Sequence, residues 1–176
     1  MNRSDREHQY ISLMRYMEPT ISVKDLRKLG FFDAPASTKY HGAYNGGLFD
    51  HSFQVAKTLE SLTHRLDLKW SRPESPYIVG MYHDLCKTDN YILDIETNKY
   101  AYNPDIIIPG HGEKSVILAQ KYIKLTDEEI ACIRWHMEAY ETDTKLWNYY
   151  VKAIEKYPNV LFTHTADMMS SKILGV

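Results

Sequence analysis

The stretch Gly80-Met81-Tyr82-His83-Asp84-Leu85-Cys86-Lys87 sets an imidazole beside a carboxylate within a largely apolar segment. The apolar run extends back to Tyr77, and a helix over residues 77–87 is predicted to be buried. Burying a carboxylate in such surroundings costs several kcal/mol unless a partner compensates. A divalent cation compensates fully, because neutral imidazole and carboxylate are both good ligands for such ions. The stretch therefore predicts a metal site on a buried helix.

The chain on either side of this stretch carries apolar residues at helical spacing nearly throughout. Further helices are predicted over residues 5–18, 23–29, 112–123, 127–137 (with a capping box at Thr126), 147–157 and 158–173, and a long one from Leu48. Ser75 is the predicted N-cap of the buried helix, since Pro76 suits a first helical position. Residues 91–102 alternate loosely around a turn and predict a small β-hairpin. The expected fold class is all-α, a bundle of about seven or eight helices with this one hairpin.

The length and net charge of the chain restrict the kind of protein that it can be. At about 150 residues per domain, the 176 residues predict one domain. With 21 basic and 23 acidic residues the net charge is −2, which argues against a broad surface for polymeric nucleic acid. The apolar runs are too short to cross a bilayer, and the charged N-terminus does not resemble a signal peptide. We therefore expect a cytoplasmic protein without membrane contact, with Cys86 and Cys132 as buried free thiols.

Four more residues of metal-ligating type lie in demanding places along the chain. His51 follows a glycine-rich turn at the start of the long helix, and His111 stands between two glycines where a helix begins. His136 lies near the end of the capped helix, and Asp167 lies inside the last one. His164, one turn before Asp167, could support a site or only the fold. Several helices that each present one inward ligand resemble the way in which di-metal sites are built in helical bundles.

The order of these residues is similar to that of the HD-domain superfamily of metal-dependent phosphohydrolases. Gly46-Gly47-Leu48-Phe49-Asp50-His51-Ser52 resembles the glycine-glycine-leucine lead into the first ligand of that family. The stretch over residues 80–87 resembles its signature, an HD pair followed by lysine three residues on. The resemblance covers residues 40–173. It implies a single HD domain over residues 1–176, with residues 1–35 as an N-terminal helical extension.

The resemblance also implies a ligand set. His51, His83, Asp84 and Asp167 would bind one ion; His111 and His136 would bind a second, which Asp84 would bridge to the first. The expected cofactors are therefore two divalent ions, drawn from Fe, Mn, Zn, Ni, Co or Mg. Cys86 departs from the family, where glycine is common at this position. The thiol could adjust packing only, and metal binding by it is the lesser alternative.

The activity that the resemblance implies is hydrolysis of a phosphate ester of a small molecule, with nucleotides the leading class. A metal-bound hydroxide would attack phosphorus in line with the leaving oxygen. Asp84 and Lys87 are the candidate catalytic residues, and the Lys87 ammonium could stabilise charge on the phosphoryl group. Lys87, Tyr40, His41 and Tyr44 are the candidate substrate contacts.

Other functions stay open on these residues alone. A di-iron oxygenase of the HD fold, similar to myo-inositol oxygenase, would also carry six ligands around two irons. A non-catalytic nucleotide-binding sensor would keep the cleft for binding only. An exonuclease is disfavoured, because the chain is too short for an added nucleic-acid module and its net charge is slightly negative. The expected partner is a small phosphorylated substrate, and residues 1–30 could cap the domain or pair with a second copy in a homo-oligomer.

Overall fold

The computed structural model describes residues 1–137 and 143–176. Its elements are, in chain order, α1 (Arg3–Met14), α2 (Val23–Leu29), α3 (Gly47–Leu66), α4 (Ser75–Tyr82), α5 (Lys87–Asn90), β1 (Tyr91–Asp94), β2 (Lys99–Tyr102), α6 (His111–Ala119), α7 (Asp127–Trp135), α8 (Thr144–Lys156) and α9 (Asn159–Met168). A π-helical turn, Met169–Ile173, continues α9. The predicted all-α class with a small β-hairpin is confirmed. Every helix among the described residues is too short or too polar to cross a membrane.

The central helix of the core is α3, which packs along α4 and also contacts α9 and the π-helical turn. Its core face carries Leu48, Val55 and Leu59, all fully buried. Gly80 permits the close approach of α4, because a Cβ at this position would overlap the backbone of Ala56 on α3. This contact brings the first turns of α3 beside the C-terminal end of α4, where two of the candidate ligands lie.

The prediction of a buried helix over residues 77–87 is wrong in the extent of the helix, because α4 ends at Tyr82. The chain then forms a tighter turn, in which the Lys87 amide donates to the Asp84 carbonyl at 2.9 Å. A bond between residues three apart is that of a 3₁₀ turn, where the side chains of residues i and i+3 eclipse one another. The turn therefore places the Lys87 side chain over that of Asp84.

The N-terminal segment packs onto the two helices that carry the first ligands. The hydroxyls of Tyr10 on α1 and Tyr82 on α4 share a hydrogen bond of 2.5 Å, and Tyr82 also accepts the Ile21 amide at 3.1 Å. The buried Arg6 guanidinium donates twice to Asp50 in the first turn of α3, at 3.0 and 3.1 Å. Residues 1–35 are thus tied to both α3 and α4.

The capping box at the start of α7 is present as predicted. Thr126 accepts the Glu129 amide at 3.2 Å, and the Glu129 carboxylate accepts the Thr126 amide at 2.8 Å. The predicted N-cap role of Ser75 is wrong: Ser75 is the first residue of α4, and its hydroxyl donates to Glu129 at 2.8 Å. Arg72 reaches the same carboxylate at 2.6 Å. Glu129 therefore joins α4 to α7 inside the core.

Several helix ends differ from the prediction, while the hairpin agrees with it. The structure ends α1 at Met14 and α6 at Ala119, and α9 changes to π winding at Met169. Periodicity alone does not mark where a helix ends, since the final turn depends on local caps and contacts. The hairpin pairs Tyr91 with Tyr102, directly after α5.

Candidate metal centre

Three residues from three parts of the chain form the first group of candidate ligands: His51 on α3, His83 just after α4, and Asp167 on α9. His51 Nε2 lies 3.1 Å from Asp167 Oδ1 and 3.3 Å from His83 Nε2. All three residues are buried, and their ligand atoms lie within 4.8 Å of one another. Imidazole and carboxylate in this arrangement are donors that suit Zn, Fe, Mn and related ions.

Backbone oxygens orient the buried imidazoles. Three histidines donate from Nδ1 in this way: His83 to Gly80 at 2.9 Å, His136 to Ile133 at 2.7 Å and His51 to Val176 at 2.9 Å. A backbone oxygen only accepts, so Nδ1 carries a hydrogen in each ring, and Nε2 is the atom that faces the other candidate ligands. This is the tautomer that a metal-ligating histidine uses when its other nitrogen is held by the backbone.

Asp84 lies between these imidazoles and uses its two carboxylate oxygens differently. Lys87 Nζ lies 2.6 Å from Oδ2, while the Nε2 atoms of His83 and His51 lie 3.4 and 3.7 Å from it. Oδ1 is buried and has no hydrogen-bond partner among the described residues, and the same holds for His136 Nε2, which lies 3.5 Å away. Leaving such atoms unpaired costs about 1–3 kcal/mol each. A cation bound beside both atoms would remove this cost, so the residues present fit a metal.

His111 approaches Asp84 from another side. Its Nδ1 lies 3.5 Å from Cys86 Sγ, and Asp84, Cys86 and His111 form a further group with ligand atoms within 4.8 Å of one another. His136 instead groups with His83 and Asp84. The six predicted ligands are thus brought together around Asp84, in three overlapping groups.

Two local features position the later histidines. Gly112 lets α6 approach α7, because a Cβ there would overlap the backbone of Arg134. His111, the first residue of α6, is thereby held close to the end of α7, where His136 lies. His164 on α9 donates from Nδ1 to the backbone oxygen of His136 at 2.7 Å. His164 therefore helps to hold the backbone of His136, a candidate ligand, in place.

The electrostatics of the site favour ionised carboxylates and, at His83 and His111, neutral imidazoles, whereas at His136 burial is outweighed by the nearby Asp84, which raises the pKa. Burial by itself raises the pKa of Asp84, but the charge of Lys87 and then the nearby His83 outweigh it and hold the pKa well below its usual range. For Asp167 burial is likewise outweighed, chiefly by the hydrogen bond from His51, and the pKa is lowered. Burial lowers the pKa values of His83 and His111. Ionised carboxylates and neutral imidazoles are the forms that ligate metals.

A cavity of about 300 Å³ opens beside Asp167. Its lining residues are His41, Lys87, Met137, Asp167, Met168, Ser171 and Lys172. Burial, and then the neighbouring His51, lower the pKa of His41 to about 4, so this imidazole is neutral at neutral pH. Its buried Nε2 has no hydrogen-bond partner among the described residues.

The structure separates the predicted substrate contacts into two pairs. Lys87 and His41 line the cavity. Tyr44 donates its hydroxyl to Asp50 at 3.0 Å, and Tyr40 is 69% exposed; neither lines the cavity. As substrate contacts, Tyr40 and Tyr44 stay predictions.

Sequence reasoning missed several residues of the cavity. Ser171 and Lys172 follow Asp167 by about one helical turn. A basic side chain so close to the last candidate ligand could have indicated that this segment contributes to the cavity. Met137 and Met168 are neighbours of predicted ligands and could have been proposed on that ground. The hydrogen bond from His51 Nδ1 to the backbone oxygen of Val176 could not be predicted from the sequence, because it joins residues 125 positions apart.

A larger cavity of about 560 Å³ lies elsewhere, among residues such as Tyr16, Trp70 and Tyr77. It contains none of the candidate ligands, so we place the functional site at the smaller cavity on chemical grounds.

Comparison with known proteins agrees with the geometry. A family model described as the HD domain matches residues 48–170, well over half of the chain, and this range includes all six candidate ligands. No curated protein and no solved structure matches the chain significantly.

Proposed function

Because this chain belongs to the HD domain family, we propose that it is a metal-dependent phosphohydrolase that acts on a small phosphate ester, with nucleotides the leading class. The observation that carries the proposal is the pair of buried atoms Asp84 Oδ1 and His136 Nε2, which lack hydrogen-bond partners among the described residues and lie within a group of oriented imidazoles. A cation would satisfy both atoms, and the adjoining cavity is lined by a cationic side chain, Lys87, that a phosphate could contact.

The ligand assignment is part of this proposal. One ion would be held by His51, His83, Asp84 and Asp167, and a second by Asp84, His111 and His136. Bound cations would supply Lewis acidity toward the phosphoryl oxygens and would lower the pKa of a water molecule. Imidazoles oriented by backbone oxygens and ionised carboxylates would prepare the protein for this, since preorganised groups need less rearrangement when the ions bind.

Lys87 would act on the phosphoryl group directly. Its pKa is raised, because the attraction of Asp84 outweighs burial, and the side chain therefore stays an ammonium. Asp84 Oδ2 holds Nζ at 2.6 Å, which fixes this charge at the wall of the cavity. A preorganised cation stabilises the negative charge that develops on the phosphoryl oxygens. The neutral His41 can hydrogen-bond to the substrate at Nε2.

The size of the cavity supports a small substrate. About 300 Å³ is at the lower end of the range for small-molecule sites. Lys172 adds a second positive side chain to the wall, and both lysines would attract a phosphate. A polymer would instead need an extended basic groove, which the net charge of −2 does not suggest.

The test begins with elemental analysis of the purified protein, followed by a phosphate-release screen across nucleotides and other phosphomonoesters under anaerobic conditions. We expect release of inorganic phosphate, supported by Mn²⁺ or Co²⁺. Iron-dependent oxygen consumption without phosphate release would overturn the proposal in favour of an oxygenase. A nucleotide that raises the melting temperature and is recovered intact, with no ester hydrolysed in the screen, would indicate a sensor and also overturn it.

A further inference from the structure

Cys86 lies inside the ligand cluster but has no role in the proposed ligand set. It is fully buried, and its Sγ lies 3.5 Å from His111 Nδ1. Its amide donates at 3.1 Å to the hydroxyl of Ser115, which is one turn beyond His111 on α6. Since these two α6 residues share a face of the helix, the bond sets the register that holds the thiol against the imidazole.

The distance between Sγ and Nδ1 equals the separation of two ligands on one ion. Tetrahedral Zn²⁺ holds a thiolate at about 2.3 Å and an imidazole at about 2.0–2.1 Å, which places the two ligand atoms about 3.6 Å apart. The 3.5 Å hydrogen-bond contact between Cys86 and His111 is therefore close to the separation that an ion bound by both atoms would need. One oxygen of Asp84 lies within 4.8 Å of both atoms and supplies a third donor.

A second observation, independent of the cysteine, points to a ligand here. Asp84 Oδ2 is already engaged by Lys87, but Oδ1 is buried without a hydrogen-bond partner among the described residues. His136 Nε2 lies 3.5 Å from it and likewise has no hydrogen-bond partner in the described part of the chain. Both residues are at least 98% buried, so solvent does not satisfy these atoms. The cluster has more donor atoms than a single cation at His51, His83 and Asp167 would use.

We propose that Cys86 is a metal ligand of this chain, and that its thiolate, a carboxylate oxygen of Asp84 and an imidazole nitrogen of His111 form a cation site for thiophilic ions such as Zn²⁺, Co²⁺ or Fe²⁺. The inference deepens the proposed function and rests on its metal centre. On binding, the S–H bond breaks, a sulfur–metal bond forms, and the proton leaves to solvent. A thiolate favours these ions over Mg²⁺, which prefers oxygen ligands. The identity of residue 86 would therefore set the metal preference of this protein.

Cobalt reports directly on a sulfur ligand. The full chain, stripped with a chelator, is titrated with Co²⁺ while near-ultraviolet absorbance and bound metal are measured. We expect a thiolate-to-cobalt charge-transfer band in the wild-type protein and none in Cys86→Ser. The matched control is Cys132→Ser, because Cys132 is equally buried but lies beside Thr163, outside the candidate metal groups. Cys132→Ser should keep the band.

The affinity for Co²⁺ distinguishes a direct metal ligand from a residue that only hydrogen-bonds to a ligand. Loss of an outer-shell partner typically weakens metal binding about 10–100-fold, so loss of a direct ligand should weaken one equivalent of Co²⁺ by more than about 100-fold in Cys86→Ser. Absence of the band in cobalt-saturated wild-type protein would overturn the inference, and so would its persistence in Cys86→Ser. Phosphate release is scored separately: a band without hydrolysis contradicts the proposed function alone, and hydrolysis without a band contradicts this inference alone.

Discussion

Asp84 is the residue at which the polar contacts of the site converge. Its carboxylate lies within 3.7 Å of nitrogen atoms from Lys87, His83, His51 and His136. The ammonium of Lys87 depends on it most, because both side chains are almost completely buried. A buried charge that loses its paired counter-ion is far more costly than the intact pair is stabilising.

Replacing Asp84 with Asn is therefore expected to lower the free energy of unfolding of the metal-free protein by about 3–5 kcal/mol. Urea denaturation in the presence of a chelator measures the change. The control is Asp84→Asn combined with Lys87→Met, which removes both charges and should recover most of the loss. Equal stability of Asp84→Asn and wild-type protein would show that the pair is not buried as described.

Lys87 should matter for turnover more than for substrate binding. Lys87→Met is expected to reduce kcat about 100–1,000-fold, the usual effect of removing one preorganised donor from a reacting centre. Steady-state phosphate release measures kcat and KM separately. Lys121→Met, at an exposed position outside the cavity, should match wild-type kinetics. An unchanged kcat in Lys87→Met would contradict its assigned role.

At the scale of elements, the pairing of α3 with α4 decides whether the ligands meet. Gly80→Ala is expected to destabilise the protein by about 1–3 kcal/mol, because the added methyl group overpacks the contact with Ala56. It should also weaken metal binding, since His51 and His83 lie on either side of this contact. Thermal denaturation and metal titration test both effects. An isolated helix predicts the opposite sign, since alanine is favoured over glycine by about 1 kcal/mol.

The tyrosine pair between α1 and α4 makes stability sensitive to alkaline pH. Burial raises the pKa values of Tyr10 and Tyr82 above that of an unfolded chain. The unfolded state then loses these protons first, so stability is complete below about pH 10 and falls above it. Each tyrosine contributes a slope of about 1.4 kcal/mol per pH unit between its unfolded and folded pKa values. Urea denaturation from pH 8 to 11 measures the slope.

Tyr82→Phe isolates the contribution of one tyrosine. At pH 8 the variant should be less stable by about 1–3 kcal/mol, because the Ile21 amide loses its acceptor. Its loss of stability above pH 10 should be shallower than that of the wild-type protein by about 1.4 kcal/mol per pH unit. Parallel pH profiles for the two proteins would contradict the assignment.

At the scale of the whole molecule, metal binding and folding should be linked. The candidate ligands come from α3, α6, α9 and the segments after α4 and α7, so an unfolded chain cannot present them together. Metal at about 100 times its dissociation constant is expected to add about 2.7 kcal/mol to the free energy of unfolding. Thermal scans with and without a chelator measure the shift. Asp167→Asn should show a much smaller response, and an equal response would place the ion elsewhere.

The candidate ligands could be identified in the sequence because chemistry restricts where such residues occur. His83 and Asp84 are costly in a buried helix, and His111 stands between glycines that a regular helix would avoid. These local signals, together with the order of the residues, led to the six side chains that the fold brings together around Asp84.

The remaining features depend on contacts between distant parts of the chain. The helix predicted through Lys87 ends at Tyr82, although nothing in this apolar sequence indicates the 3₁₀ turn that follows. The hydroxyl of Ser75 bonds to Glu129 instead of capping its own helix, since a buried carboxylate from α7 lies within reach. Lys172, which lines the cavity, lies in a π-helical turn that the periodicity of the last helix does not predict. Such choices are set by packing and not by periodicity.

The π-helical turn after Asp167 has a further consequence for the candidate metal centre and the cavity beside it. It joins the carboxylate that faces the candidate cation position to Ser171 and Lys172, which face the cavity, through an unbroken backbone. An occupant of the metal centre or of the cavity would restrain the same short segment. Any resulting cooperativity must be mutual, since thermodynamic linkage makes each ligand strengthen the other by the same factor.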